Sequence, residues 1–133
     1  MVCDASAVVT ALLDSGDAGT WLAGRLVKAE LNAPELLLFE CANVIRRHEL
    51  GDVISSYHAA QAHADLLDLP IELFPYESLA ERVWQLRRNL TSYDAAYVAL
   101  AETLDVPLIT VDRRLARAPG IGCRVEIPPA AAG

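Results

Sequence analysis

The chain has 133 residues, 53% of them apolar and 22% charged, with a net charge of −7. That length allows one domain with a real core and excludes two, and the composition excludes disorder outside a short tail, 128–133, that follows a domain over 1–127. No apolar run of about 18 residues suggests a membrane span, and no charged, apolar, small-residue leader is read before the first strand.

Met1–Asp4 reads as that first strand, an apolar Met-Val-Cys run that meets Asp4 directly. A short helix follows from Ala5 to about Asp14, with Gly16 as its stop. Asp17 or Thr20 opens the next, with Trp21, Leu22, Leu26 and Val27 at helical spacing. Leu31–Ala33 is a brief second strand, and Pro34 is expected in the first turn of the helix after it. That helix, Glu35–Leu50, is apolar over most of its surface through Leu36, Leu37, Leu38, Phe39, Ala42, Val44 and Ile45. Glu40, Asn43 and Arg47, at i, i+3 and i+7, draw a narrow polar stripe along it. A helix over Val53–Leu69 leads to an alternating, proline-bounded strand over Leu69–Pro75. Tyr76–Leu90 is expected to be helical, with Leu79, Val83, Trp84 and Leu86 turned inward. An alanine-rich helix runs from Thr91 to Leu104. Leu108–Val111, apolar on both faces, suits the middle of a parallel sheet. Arg113–Arg117 is a short helix, and Cys123–Ile127 alternates as an edge strand. Helices recurring between short strands give an α/β domain with a mostly parallel sheet.

Ligands of such sheets sit beyond the carboxyl ends of the strands. Asp4 and Asp112 fall there, and Asp94 starts the helix that feeds the second strand. Each acidic residue also has a plain structural reading. Thr91-x-x-Asp94 resembles a capping box, Asp112 can cap Arg113–Arg117, and Glu40 can sit in a salt bridge or at an exposed edge. Asp4 has no cap to make unless Ala5 opens a helix at once, and Ser6 can donate a hydrogen bond to it. Taken together the four suggest a shared pocket, where crowded like charges repel unless cations hold them. Carboxylates alone select Mg²⁺ or Mn²⁺ over zinc, and such ions bind phosphate oxygens and activate water in phosphodiester hydrolysis. His58 and His63 are five residues apart, the wrong spacing for a zinc pair on a helix. Cys3, Cys41 and Cys123 include no Cys-x-x-Cys pair and read as free thiols of a reducing cytosol, so a cytoplasmic location is expected. The acidic net charge argues against a nucleic-acid partner. Setting the four pocket acids aside leaves three of its seven negative charges, however, and the tandem pairs Arg46-Arg47, Arg87-Arg88 and Arg113-Arg114 suit phosphate.

Asp4-Ala-Ser6, Glu40-x-x-Asn43, Thr91-x-Tyr93-Asp94-Ala95 with Tyr97 and Ala99-Leu100-Ala101, and Leu108-Ile-Thr110-x-Asp112-x-x-Leu115 together resemble the PIN-domain ribonucleases. More narrowly, they resemble the VapC-type toxins of bacterial toxin–antitoxin pairs. The resemblance spans nearly the whole chain. It implies a three-layer α/β/α fold around a mostly parallel sheet of about five strands, and a Mg²⁺- or Mn²⁺-dependent endoribonuclease that leaves 5′-phosphate and 3′-hydroxyl ends. Asp4, Glu40, Asp94 and Asp112 would hold the metal, with Ser6, Asn43 and Thr110 supporting them by hydrogen bonds. It further implies a homodimer and a cognate antitoxin that occludes the site. Two rivals from other classes are a receiver-like phospho-acceptor module, which needs a lysine near its acids where only Lys28 exists, and a catalytically silent partner-binding domain.

Overall fold

A computed structural model describes residues 1–130. Two short apolar runs, Val2–Cys3 (β1) and Leu108–Ile109 (β4), lie side by side and parallel at the centre of a sheet. All four residues are buried, as strands covered on both faces must be. Leu31–Pro34 (β2) joins the other side of β1, and Ile71–Phe74 (β3) pairs with β2 at one edge. Val125–Glu126 (β5) pairs with β4 at the other edge, so the order is β3-β2-β1-β4-β5 and every pairing is parallel. The first three strands therefore step one way across the sheet and the last two step the other. The reversal lies between β1 and β4, the position where open α/β sheets form a ligand crevice.

Parallel pairing needs a crossover between successive strands, and the crossover helices form the layers. Helices α1 (Ala5–Leu13), α2 (Asp17–Leu26), α3 (Leu36–Leu50) and α4 (Ser56–Asp68) belong to the steps toward β3 and pack with one another. Helices α5 (Ala80–Gln85) and α6 (Ser92–Leu104) belong to the return step, and α6 lies across β1, β2 and β4. A four-residue helix, α7 (Arg113–Ala116), sits beside β5. The whole run Ala95–Ala101 of α6 is buried, and its alanines let the helix axis approach the sheet closely. At the α1–α2 corner a side chain on Gly19 would meet the Asp14 carbonyl oxygen at 1.8 Å, so only glycine fits. The Asp14 carboxylate takes the Gly16 and Gly19 amides there and ties the two helices together.

Several elements differ from the sequence reading. Pro34 ends β2 instead of opening a helix; it sits opposite Phe74, whose carbonyl accepts from the Glu35 amide. The helix expected from Val53 begins at Ser56, because Asp52 takes a left-handed conformation (φ 58°) and the Ser55 hydroxyl caps the His58 amide. The single helix expected over Tyr76–Leu90 is a 3₁₀ turn, Tyr76–Ser78, followed by the short α5. Leu79, Val83 and Leu86 do face the core, whereas Trp84 is 63% exposed and holds Arg87 against its ring at 4.7 Å. Only Leu37, Cys41 and Ile45 of α3 are buried, and Phe39 is 82% exposed. Strand β4 stops at Ile109, two residues short: the Thr110 amide still donates to the Glu126 carbonyl, and beyond it the Asp112 amide turns back to the Thr110 hydroxyl. Residues 128–130 carry no regular structure, and the rest of the expected tail lies outside the described residues.

Candidate active site

Asp4 leaves β1 and caps α1 in the same step, because Ala5 does open a helix at once. Its Oδ1 accepts from the Ala7 amide at 3.0 Å and from the Ser6 hydroxyl at 2.6 Å, and Oδ2 accepts from the Thr110 hydroxyl at 2.5 Å. The residue is 6% exposed. Burial raises its affinity for a proton above that of an ordinary carboxylate; the Ser6, Thr110 and Ala7 donors oppose this, and the Asp94 charge adds to it. Thr110 is fully buried and ties Asp4 to the turn after β4, since its Oγ1 also accepts from the Asp112 amide at 3.0 Å. The Val111 amide in turn donates to Ser6 Oγ at 3.3 Å. The ends of β1 and β4 are thus stitched together by two hydroxyls around one buried carboxylate.

The other three acids come from separate elements. Glu40 projects from α3, and its Oε1 accepts from the Tyr97 hydroxyl at 2.6 Å. Burial again pushes its proton affinity up, Tyr97 pulls it down, and the charges of Asp4 and Asp94 raise it further. Tyr97 itself is held firmly in the phenol form by burial and by that carboxylate. Asp94 lies in the first turn of α6, where burial and the Asp112 charge raise its proton affinity while Arg114 and Thr91 lower it. Thr91 performs the capping: its hydroxyl accepts the Asp94 amide at 3.2 Å. Among the described residues no backbone amide donates to the Asp94 carboxylate, so the box is only half made. Asp112 does cap, taking the Arg114 amide at 2.9 Å, and pairs with the exposed Arg114 guanidinium at 3.2 Å, which holds its carboxyl below the usual range.

Asp4, Glu40, Asp94 and Asp112 line one cleft of about 490 Å³, with Ser6, Asn43 and Tyr97 among its other walls. Ser6 and Thr110 bond to Asp4 as a supporting role requires. Asn43 lines the cleft but is exposed, and makes no side-chain hydrogen bond among the described residues. Tyr97 belongs to the sequence motif, which assigns it no role. Its signal was present nonetheless, because Asp94 and Tyr97 stand at i and i+3 and must share a face of α6. Among the described residues no three His, Cys, Asp or Glu side chains stand as a group poised to hold an ion directly. The donor set is all carboxylate oxygen, and three of its four members are destabilised as anions by burial or by one another. Such a field favours a cation, and Mg²⁺ characteristically keeps several waters and takes only one or two carboxylates directly. The residues fit a hydrated hard divalent ion.

Residues 1–121 match the PIN domain family. The chain is 46% identical over 127 residues to Ribonuclease VapC1 of Mycobacterium tuberculosis, covering 95% of this chain and 96% of that one. It is 38% identical over 127 residues to Ribonuclease VapC12 of the same organism, covering 96% and 98%. Among solved structures, M. tuberculosis VapC20, described as a sarcin-ricin loop cleaving toxin, superposes with a TM-score of 0.62 at 20% identity, covering 91% of this chain and 95% of that one. The VapBC2 structure from Rickettsia felis, bound to a DNA fragment from its promoter, gives 0.60 at 14% identity, covering 95% and 96%. At these identities the two structures speak to the fold.

Proposed function

Because the chain belongs to the PIN-domain family, among the VapC ribonucleases, we propose that it is a Mg²⁺- or Mn²⁺-dependent endoribonuclease and the toxin of a toxin–antitoxin pair. The observation that carries this reading is the gathering of Asp4, Glu40, Asp94 and Asp112, from four separate elements, along one cleft at the switch point of the sheet. These four would hold the ion. When bound, it would supply a water acidic enough to attack phosphorus and positive charge for the phosphate and leaving oxygens. The chain's own groups do the rest. Ser6, Thr110 and the Ala7 amide fix both oxygens of Asp4, so this carboxylate keeps one orientation through turnover. Tyr97 fixes Oε1 of Glu40 and leaves Oε2 to the cleft, where it can take the proton of the attacking water. In-line attack leaves a 5′-phosphate and a 3′-hydroxyl.

No observation favours the receiver reading, since Lys28 lies in the turn after α2 and away from the cleft. The purified protein should cut single-stranded or looped RNA with Mg²⁺ or Mn²⁺ and stop in EDTA. Full activity in chelator, or activity restored by zinc alone, overturns the mechanism.

The partners follow from two surfaces. A cleft of clustered carboxylates attracts a guanidinium as it attracts a metal ion, so the cognate antitoxin should fill it with a basic side chain, arginine by preference. It should co-purify with the product of the adjacent reading frame, and expression of active protein without that product should be toxic; harmless expression removes the toxin assignment. Exposed Phe39, Tyr76 and Tyr93 surround an apolar hollow with Leu36 and Leu79, and this face suits a second copy of the chain. Sedimentation should give a dimer that Phe39→Glu dissociates; a wild-type monomer overturns it. Cys3, Cys41 and Cys123 are free, in keeping with a cytoplasmic protein. Among the described residues no helix is long and apolar enough to cross a membrane.

A further inference from the structure

The polar stripe on α3 does not end with the acids. Glu40, Asn43 and Arg47 all line the acidic cleft, and two helical turns carry the stripe about 10 Å along the axis from Glu40 to Arg47. Two guanidiniums therefore stand near the carboxylates, and their situations differ. The Arg114 guanidinium is engaged by Asp112 through two hydrogen bonds, and the Arg114 amide adds a third. Arg47 is exposed and, among the described residues, makes neither an ion pair nor a side-chain hydrogen bond, although it borders a cleft walled by four carboxylates. A planar fork left open beside a phosphodiester site is suited to another phosphate.

The cleft also continues past it. His48, the next residue, lines both the acidic cleft and an adjoining hollow formed with Val9, Thr10, Leu13 and Ile54. Its Nδ1 is buried without a hydrogen-bond partner among the described residues. A strand whose scissile phosphate lies among the acids, and which runs on into that hollow, passes Arg47 on the way.

We propose that Arg47 is a substrate-positioning residue that grips the phosphate flanking the scissile one, on the side where the RNA strand runs between α1 and α3 toward His48. The assignment rests on the ribonuclease reading and adds the direction in which the strand leaves the site. The remaining role for a cation in the last turn of a helix is to offset the helix dipole. That role has no salt-dependent effect on RNA.

The test compares wild type, Arg47→Ala and Arg47→Lys. Binding of a fluorescent single-stranded RNA dodecamer of randomised sequence is measured in Ca²⁺ across a salt series, and cleavage of total cellular RNA is measured in Mn²⁺. Arg47→Ala should bind the dodecamer roughly tenfold more weakly. Its log K against log salt slope should be shallower by about 0.7, the value for one lost contact to a single strand. Its KM should rise more than its kcat falls, its melting curve should match wild type, and Arg47→Lys should recover part of the slope. Equal binding, equal slope and equal cleavage in wild type and Arg47→Ala overturn the proposal while leaving the nuclease intact. Loss of kcat with an unchanged slope also overturns it, since that would put Arg47 at the reacting atoms or in the fold. Wild type that neither binds nor cuts RNA overturns the ribonuclease reading and this inference with it.

Discussion

Asp4 and Asp112 occupy the same place in local structure and have opposite electrostatics. Each follows a central strand, each caps the helix that comes next, and the two strands are neighbours. Asp4 is buried behind two hydroxyls, and its charge is costly; Asp112 is partly exposed and held anionic by Arg114. Capping alone therefore does not fix what a carboxylate can do. Burial turns one cap into a stored charge that needs a counter-ion, and an arginine turns the other into a settled ion pair.

The largest expected effect comes from substituting each in turn. Asp4→Asn should lower RNA cleavage by orders of magnitude, because a carboxylate proposed to hold the ion is gone. Asparagine caps about as well as aspartate. In EDTA the melting temperature of Asp4→Asn should therefore rise as a buried charge is removed, whereas that of Asp112→Asn should stay close to wild type, its cap kept and only an exposed pair lost. Equal shifts in both variants would erase the distinction between the two caps.

A smaller effect is expected from pH. Burial raises the proton affinities of Asp4, Glu40 and Asp94, so the folded protein holds protons that the unfolded chain has released. Without metal, stability should rise as pH falls from neutrality through that raised range, and be lost again as pH climbs above it. Asp112, held low by Arg114, and Glu102, held low by Arg82, run the other way. Their contribution is present above the ordinary carboxylate range of about 4 and disappears as pH drops through their lowered values. Urea titrations in EDTA should find maximal stability in mild acid, and saturating Mn²⁺ should move the maximum toward neutrality. Metal-free stability that only declines between about pH 7 and about pH 5 contradicts the buried-charge account.

The smallest effect belongs to Arg114→Ala. The pair is exposed, so melting should not change measurably. The Asp112 carboxyl resonance should titrate at a higher pH than in wild type, and an unmoved titration would mean that the guanidinium does not hold it.

The central strands and the four acids were legible because they obey strong local rules. An apolar run ending in aspartate allows few readings when both faces of the strand are covered, whereas Trp84, expected inward with Leu79, Val83 and Leu86, stands about 100° around the helix from Val83 and is exposed. What escaped depends on contacts distant in sequence. The preference of proline for helix starts puts Pro34 in a helix, but its pairing with Phe74 forty residues later keeps it in the sheet. Tyr97 reaches Glu40 across 57 positions, and no periodicity reports such a bond. Phe39 sits on the outer side of α3, where an apolar residue looks the same in sequence whether it meets a core or a partner.

The placement of β1 also sets a schedule. It precedes the other elements of this domain, yet it lies between β2 and β4, and the Thr110–Asp4 hydrogen bond spans 106 positions. Contacts so distant in sequence form late, because the intervening chain must be closed into a loop first. A nascent chain lacking β4 has one open edge on β1, no hydroxyl on Asp4 Oδ2, and neither Asp94 nor Asp112 in place once synthesis stops before Asp94. Prematurely ended products of this reading frame are therefore incapable of assembling the cleft, and the cell that makes the enzyme meets a complete acidic centre only after nearly all of the domain has been synthesised.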